Sequence, residues 1–304
     1  MKILITGSSG LVGSAVTSRF ISKKLLLPSS KKLDLTNKNQ TYNYIKKNKP
    51  DLIIHCAGKV GGILKNIKNQ EKFLIENSEI NMNIISSALK FNVKNFLNLS
   101  SSCIYPKNIS TKIKEKQLLQ SYPEPTNEGY ALAKISALKL CSYIKKKYNL
   151  NYKSLIPCNI YGSNDNFDIN SGHLIPSVIH KIHKAKKNGV KEVAIWGLGK
   201  VRREFMHVDD LADAIFYFAK RINEIPDFLN IGYGRDYTIN EYYKTISKVI
   251  GYNGKFKYDT SKPTGMKRKL LNVKMQNKFG WKPKINLENG VKKTYESFLK
   301  YYEK

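Results

Sequence analysis

Cysteine is scarce in this chain: four residues, Cys56, Cys103, Cys141 and Cys158, in a length of 304. No CxxC pair and no His–Cys grouping of metal-binding spacing accompanies them. A disulfide framework or a zinc site is therefore not expected, and free thiols in a reducing compartment are. Long apolar runs are missing too, since nothing approaches the ~18 residues that a membrane span requires. The opening MKILITGSSGLVGSAV superficially resembles a signal peptide. Its glycines, however, fall as in a strand–turn–helix, and no small-residue cleavage site follows. A cytoplasmic protein whose first strand begins near residue 2 is expected.

Acidic residues are few as well, 23 Asp and Glu against 53 Lys and Arg, which gives a net charge of +30. One reading is a nucleic-acid binder with a basic face. The other is a lysine- and asparagine-rich surface, because KKLD, KKNK, IKKKYN and HKAKKN fall on apparent helix faces and turns. There is no basic tail and no nucleic-acid motif, so the second reading is taken and no nucleic-acid partner is expected. Excess positive charge also favours a substrate and cofactor that carry phosphates. Apolar residues at 41% and aromatics at 11% suffice for a buried core and exclude wholesale disorder.

Short apolar segments alternate with helical ones through the first half of the chain. KILIT (2–6), Leu25–Leu27, DLIIHCAG (51–58), VKNFLNLSSS (93–102) and YKSLIPCNIYG (152–162) read as strands. Helices are expected after the first strand, in NQTYNYIKKNKP, around 72–91 and around 128–148. That rhythm predicts a parallel sheet with helices on both faces, and strands buried on both faces should be nearly continuously apolar. After residue 163 the rhythm changes, with a loop, a basic helix (176–188), a strand at 193–197, and FMHVDDLADAIFYFAK as a strand end capped by Asp209 or Asp210. TINEYYKTISKVIG and 287–302 complete the chain as helices.

Thr6-Gly7-Ser8-Ser9-Gly10-Leu11-Val12-Gly13 forms a TGxxGxxG loop at the first strand–helix junction. Glycines there permit a tight turn and let backbone N–H groups approach a pyrophosphate at the positive helix end. The fold class expected is α/β: a Rossmann-type doubly wound parallel sheet with a smaller α/β substrate-binding lobe. Residues 1–162 would form the dinucleotide-binding domain, with a returning segment near 204–235, and 163–304 mainly the substrate lobe. A carboxylate at the end of the second strand would select NAD by accepting hydrogen bonds from the ribose hydroxyls. Pro28-Ser29-Ser30-Lys31-Lys32 supplies hydroxyls and ammonium groups instead, which favours NADPH, with Ser29 and Lys31 as candidate contacts.

Tyr130 and Lys134 form a YxxxK pair at the start of a predicted helix, one turn apart and so on one face. A neighbouring Lys⁺ is expected to lower the phenol's pKa toward a range useful for proton transfer. Ser100, Ser101 and Ser102, about 29 residues upstream, complete the pattern of a Ser–Tyr–Lys triad. The competing reading of these residues is a serine-rich strand end beside a surface YxxxK pair.

The stretches CAGKVGGI, SSSCIYP, EPTNEGYALAK, HLIP, RREFMHVDDLA and KPTGMKRKLLNV resemble the GDP-L-fucose synthase family, extended short-chain dehydrogenases, from about residue 3 to 300. The resemblance implies C3/C5 epimerisation and C4 reduction of GDP-4-keto-6-deoxymannose with NADPH. It implies Ser101 as the catalytic serine, with Cys103 and His173 as the epimerase base and acid; the bare sequence would make Cys103 a small buried residue and His173 a loop histidine. It also implies Asp34, Ala57, Gly58 and Asn159 at the cofactor, and Asn127, Asn159, Lys181, Trp196, Arg203 and Lys269 at the substrate. Lys181 stands where the family commonly has arginine, which keeps a charge but loses the planar fork. Ser9 occupies a position where some relatives carry a basic residue for the 2′-phosphate. Family members form homodimers, for which the helices near 72–91 and 128–148 are candidates, while His180 and His183 are expected to be solvated. The alternative activities are C4 reduction of a related GDP-4-keto sugar, such as a heptose, with little epimerisation, and nucleic-acid binding without turnover.

Overall fold

The computed structural model of the chain describes residues 1–20, 24–109, 111–261 and 266–302. The first half runs β1 (Lys2–Thr6), α1 (Leu11–Arg19), β2 (Lys24–Leu26), α2 (Lys38–Asn48), β3 (Leu52–His55), α3 (Ile63–Lys68), α4 (Gln70–Lys90), β4 (Asn95–Leu99), α5 (Glu128–Tyr148) and β5 (Asn151–Pro157). The second half continues with β6 (Asn159–Tyr161), α6 (Leu174–Lys187), β7 (Glu192–Trp196), β8 (Arg202–Arg203), β9 (Phe205–His207), α7 (Val208–Lys220) and β10 (Phe228–Ile231). It ends with β11 (Tyr237–Thr238), α8 (Ile239–Ile250), β12 (Lys255–Asp259), β13 (Arg268–Lys269), α9 (Lys274–Lys278) and α10 (Leu287–Tyr302).

Six strands form one parallel sheet in the order β10-β5-β4-β3-β1-β2. Strand alternation sorts its side chains to two faces. Leu4, Ile53, Phe96 and Tyr152 meet Ile45 of α2, Ile84 and Ile85 of α4, and Ala137 and Cys141 of α5. Ile3, Ile5, Ile54, Leu97 and Leu155 meet Val16 of α1 and Leu211, Ile215 and Phe218 of α7. This is the doubly wound α/β architecture expected from the sequence. The chain reverses direction across the sheet at β1, which has β2 on one side and β3 on the other. Ligands of such sheets bind outside the carboxyl ends of the strands at that switch point.

The remaining elements form a second core, with Ile175, Ile179 and Ile182 of α6, Ile195 of β7, Tyr242 and Ile246 of α8, and Val291 and Phe298 of α10. Its strands make small sheets, β11-β8-β13 and β12-β7, while β6 pairs with β9. The run 152–162 is thus two strands rather than one: the main sheet ends at Pro157, and Asn159–Tyr161 turns to a different partner. α7 is capped by His207, whose side chain accepts from the Asp209 N–H, and not by Asp209 or Asp210. Asp210 instead accepts from the N–H groups of Lys284 and Ile285 at 3.0 and 2.9 Å, tying α7 to the segment before α10. His180 and His183 are only partly exposed rather than solvated. Their rings pack on Phe298, and they bond the Phe167 carbonyl and the Tyr295 hydroxyl respectively. None of the described helices is long and apolar enough to cross a membrane.

Candidate active site

β1 delivers Thr6 to the switch point, and the chain turns at Gly7 with φ +66°. A Cβ on Gly7 would lie 2.9 Å from the Ala57 backbone, so this glycine lets the loop after β1 press against the loop after β3. Gly13 serves the same packing one turn into α1, where a Cβ would stand 2.0 Å from the Gly7 carbonyl oxygen. Between them Ser8, Ser9, Gly10, Leu11 and Val12 are exposed or half-buried. Gly10 occupies the N-cap of α1 without a side-chain cap, so the first helical N–H groups are left to an anion. A shallow loop of this shape fits a dinucleotide pyrophosphate.

Ser29 and Lys31 are exposed on the turn that follows β2, where the N–H groups of Lys32 and Leu33 close onto the Ser29 carbonyl. No acid lies on that turn; the nearest, Asp34, has its Oδ1 engaged by the N–H and hydroxyl of Thr36 at 2.9 and 2.7 Å. Ala57 donates its N–H to the Thr6 hydroxyl. Asn77, whose role was not legible in the sequence, accepts from the Lys59 N–H and donates to its carbonyl, fixing the Gly58 loop above the sheet.

Lys134 comes up beneath that loop. Its side chain is buried, donates to the Leu99 carbonyl at 2.9 Å, and places Nζ 3.5 Å from where a Gly58 Cβ would be. Burial lowers its pKa to about 8, against the opposing pull of Cys103 and Cys56. Tyr130 lies one turn earlier, its ring centroid 5.8 Å from Nζ. The expected depression of the phenol by Lys134 is not what the free site shows. Burial, and after it Cys103, pushes the Tyr130 pKa up, while the Lys134 ammonium is directed to the Leu99 carbonyl. A neutral phenol is the form that can donate a proton, so this suits an acid in a reduction.

Ser101 follows β4 and caps a short turn, its hydroxyl accepting from the Cys103 N–H at 3.4 Å. Cys103 is buried, and burial raises its thiol pKa; Lys269, the Ser101 hydroxyl and Lys134 act in the opposite direction. All four cysteines are free. Ser101, Cys103, Tyr130, Lys134 and Lys269 therefore form one electrostatically connected group at the carboxyl end of β4.

His173 is the N-cap residue of α6, on the loop that the Gly62 N–H contacts through the Ser171 carbonyl. Its ring is solvent-accessible, yet the protein around it lowers the imidazole pKa by desolvation. It makes no side-chain hydrogen bond to the other site residues described. In the free site the thiol and imidazole are both shifted toward their neutral forms.

The remaining candidates are spread around this centre. Asn127 precedes α5 and leaves a buried Oδ1 with no partner among the described residues. Asn159 ties β6 to the Glu204 carbonyl at 2.9 Å. Arg203 donates to the Arg202 and Met266 carbonyls, and Lys269 is its register partner on β13. Lys181 is turned to the Ala194 carbonyl, and Trp196 is exposed at the end of the same strand. One further residue, Glu124, lies within electrostatic range of both Arg203 and Lys269.

With that geometry in view, comparison with known proteins is informative. The chain is 49% identical over 302 residues to the GDP-L-colitose synthase of Yersinia pseudotuberculosis, covering 98% of each chain. It is 42% identical to a GDP-L-fucose synthase of Azorhizobium caulinodans, covering 98% of this chain and 96% of the relative. Among solved structures, a GDP-mannoheptose C4 reductase from Campylobacter jejuni with NADP bound superimposes with a TM-score of 0.89 at 30% identity, over 98% of both chains. Residues 3–232 match the NAD dependent epimerase/dehydratase family, and the chain belongs to that family.

Proposed function

We propose that the protein epimerises C3 and C5 of GDP-4-keto-6-deoxy-D-mannose and reduces C4, giving GDP-L-fucose at the expense of NADPH. The observation that carries this reading is the Cys103 thiol in the same buried group as Tyr130 and Lys134. A ketone reductase needs a proton donor and a cofactor site, but it has no use for a thiol beside them.

The residues divide the work as follows. Protons α to the C4 ketone are acidified because their loss gives an enolate. Cys103 in its thiolate form, with the thiol proton passed to the His173 imidazole, removes one, and His173 returns its proton to the opposite face. A proton passed back from the thiol to the imidazole through solvent resets the pair for the second centre. Ser101 hydrogen-bonds the C4 oxygen and stabilises the negative charge that develops there. Tyr130 then donates its proton to that oxygen. Bound NADPH supplies the hydride to C4. Lys134 holds the nicotinamide ribose, and the glycine loop with the free N-terminus of α1 holds the pyrophosphate. The acid-free turn at Ser29 and Lys31 favours the 2′-phosphate. Asn127 and Asn159 line the sugar, while Lys181, Trp196, Arg203 and Lys269 serve the GDP portion. Residues 1–162 with the return at 204–235 make the cofactor half, and the rest of 163–304 the substrate half. Two copies pair through α4 and α5, which expose Ile75, Leu132 and Tyr143.

The test is incubation with GDP-4-keto-6-deoxymannose and NADPH, followed by NMR of the product. The L-fuco configuration supports the reading. Reduction with the starting configuration kept at C3 and C5 overturns the epimerase part. A second reading, C4 reduction of a GDP-4-keto-heptose, is favoured by the likeness to the Campylobacter reductase. Preferential turnover of the heptose substrate in the same assay would select it.

A further inference from the structure

Glu204 lies between β8 and β9 and is buried, with 1% of its surface exposed. Each of its polar groups is engaged by a different part of the chain. Its N–H donates to the Lys269 carbonyl at 3.2 Å, and its carbonyl accepts from the Asn159 side-chain amide at 2.9 Å. Oε1 accepts from the Gly234 N–H at 2.7 Å, and Oε2 from the Leu271 N–H at 2.8 Å. Gly234 belongs to the loop that leaves the main sheet after β10, and Leu271 to the segment that leaves β13. One buried residue thus joins β6, β13 and the exit of the main sheet.

The surroundings are shaped to admit this carboxylate. A Cβ on Gly232 would stand 2.5 Å from Oε1, so a larger residue there would push the carboxylate off its donors. Two N–H groups directed at two oxygens require an acceptor at both. An ionised carboxylate supplies that, whereas a protonated acid or an amide presents a donor at one of them. A buried N–H left facing a donor loses its bond and cannot recover it from water. Burial raises the Glu204 pKa to about 7, against the opposing pull of the backbone N–H groups of Leu271, Gly234 and Tyr233.

We propose that Glu204 is a positioning residue for the substrate: its carboxylate clasps the Gly234 loop to the segment after β13, and its backbone thereby fixes the Asn159 amide relative to Lys269. The proposal rests on the reading above in which Asn159 meets the sugar and Lys269 the GDP portion. With one of the two carboxylate bonds lost, the joint loosens and those two groups no longer present themselves at a fixed spacing. Among the described residues Glu204 has no hydrogen bond to β1, α1 or α5, which carry the glycine loop, Tyr130 and Lys134. Loosening the joint therefore weakens the hold on the sugar nucleotide and leaves the cofactor and the proton donor in place.

The test compares wild type with Glu204→Gln, which keeps the shape and puts a donor at one oxygen, at a pH of about 8, above the Glu204 pKa. Glu204→Gln should raise KM for GDP-4-keto-6-deoxymannose about tenfold. It should leave kcat within about twofold and the NADPH dissociation constant unchanged. Hydrogen exchange at the Gly234 or Leu271 amide should be at least about tenfold faster in the variant. Gly232→Ala, which keeps the carboxylate but crowds Oε1, should move KM the same way by about threefold. An unchanged KM in Glu204→Gln, or an NADPH dissociation constant that rises as much as KM, overturns the proposal. Should Glu204→Gln not fold, Gly232→Ala decides alone, and an unchanged KM in it overturns the proposal. A wild-type protein that does not turn over the GDP-linked ketone overturns the functional reading instead. The exchange measurement then still judges the clasp, and equal protection of both amides in wild type and Glu204→Gln overturns it.

Discussion

Two side chains at the centre of the site, Cys103 and Lys134, set the pH behaviour of the free protein in opposite senses. Burial makes the lysine easier to deprotonate, with a pKa of about 8, and makes the thiol harder to ionise. In its proposed role Lys134 holds a ribose in its ammonium form. NADP⁺ affinity should therefore be full below pH 8 and fall as pH rises through it, a trend that fluorescence titration should find absent in Lys134→Met. The same depressed value means that Lys134 costs stability below about pH 8 and that the cost fades toward the ordinary lysine range. Cys103→Ser should abolish solvent-deuterium incorporation at C3 and C5 while sparing reduction of an already epimerised ketone. If that variant exchanges as fast as wild type, Cys103 is not the base. The triad, the thiol and the glycines were legible because each is a short pattern tied to a strand end. Glu124, within electrostatic range of both Arg203 and Lys269, was not, since the pairing of Lys269 with Arg203 lies far along the chain and no local spacing encodes it. His180 and His183 misled for a related reason: on a basic helix they looked solvated, but α10 covers them.

Glycine placement governs how the first strand–helix junction packs. In an ordinary helix interior Gly→Ala stabilises by up to ~1 kcal/mol. Gly13→Ala should do the reverse, because its Cβ would stand 2.0 Å from the Gly7 carbonyl oxygen. Overpacking of this kind costs about 1–3 kcal/mol, and here it should also displace the loop proposed to hold the pyrophosphate. Urea unfolding and NADPH titration should show lower stability and weaker binding together; a stable variant with normal affinity would remove the close-packing argument. Strands and helices of the first half were readable from apolar runs, and α8 from the amphipathic run TINEYYKTISKVIG; the structure adds its capping box, Thr238 with Glu241, and its closing Gly251. The apolar run 152–162 was misread as one strand because apolarity does not reveal a change of partner at Pro157. The short helix α3 has no apolar period long enough to see.

At the scale of the molecule, the double winding places the carboxyl ends of β1, β3 and β4 side by side in one sheet. α4 and α5 lie against each other on one face of the sheet and still expose Ile75, Leu132 and Tyr143. If that face joins two copies, Leu132→Lys combined with Ile75→Lys should convert a dimer into a monomer in light scattering without loss of NADPH binding. A double variant that keeps the wild-type mass would place the interface elsewhere. The central claim is that the glycine-bounded crevice and the Tyr130 phenol serve one ketone together. It is tested most directly by following NADPH absorbance after adding GDP-4-keto-6-deoxymannose to wild type and to Tyr130→Phe. The account predicts stoichiometric NADPH consumption by wild type and a rate about 100-fold or more lower in the variant, with NADPH affinity preserved. Equal rates in the two proteins, or no NADPH consumption by wild type, would contradict it.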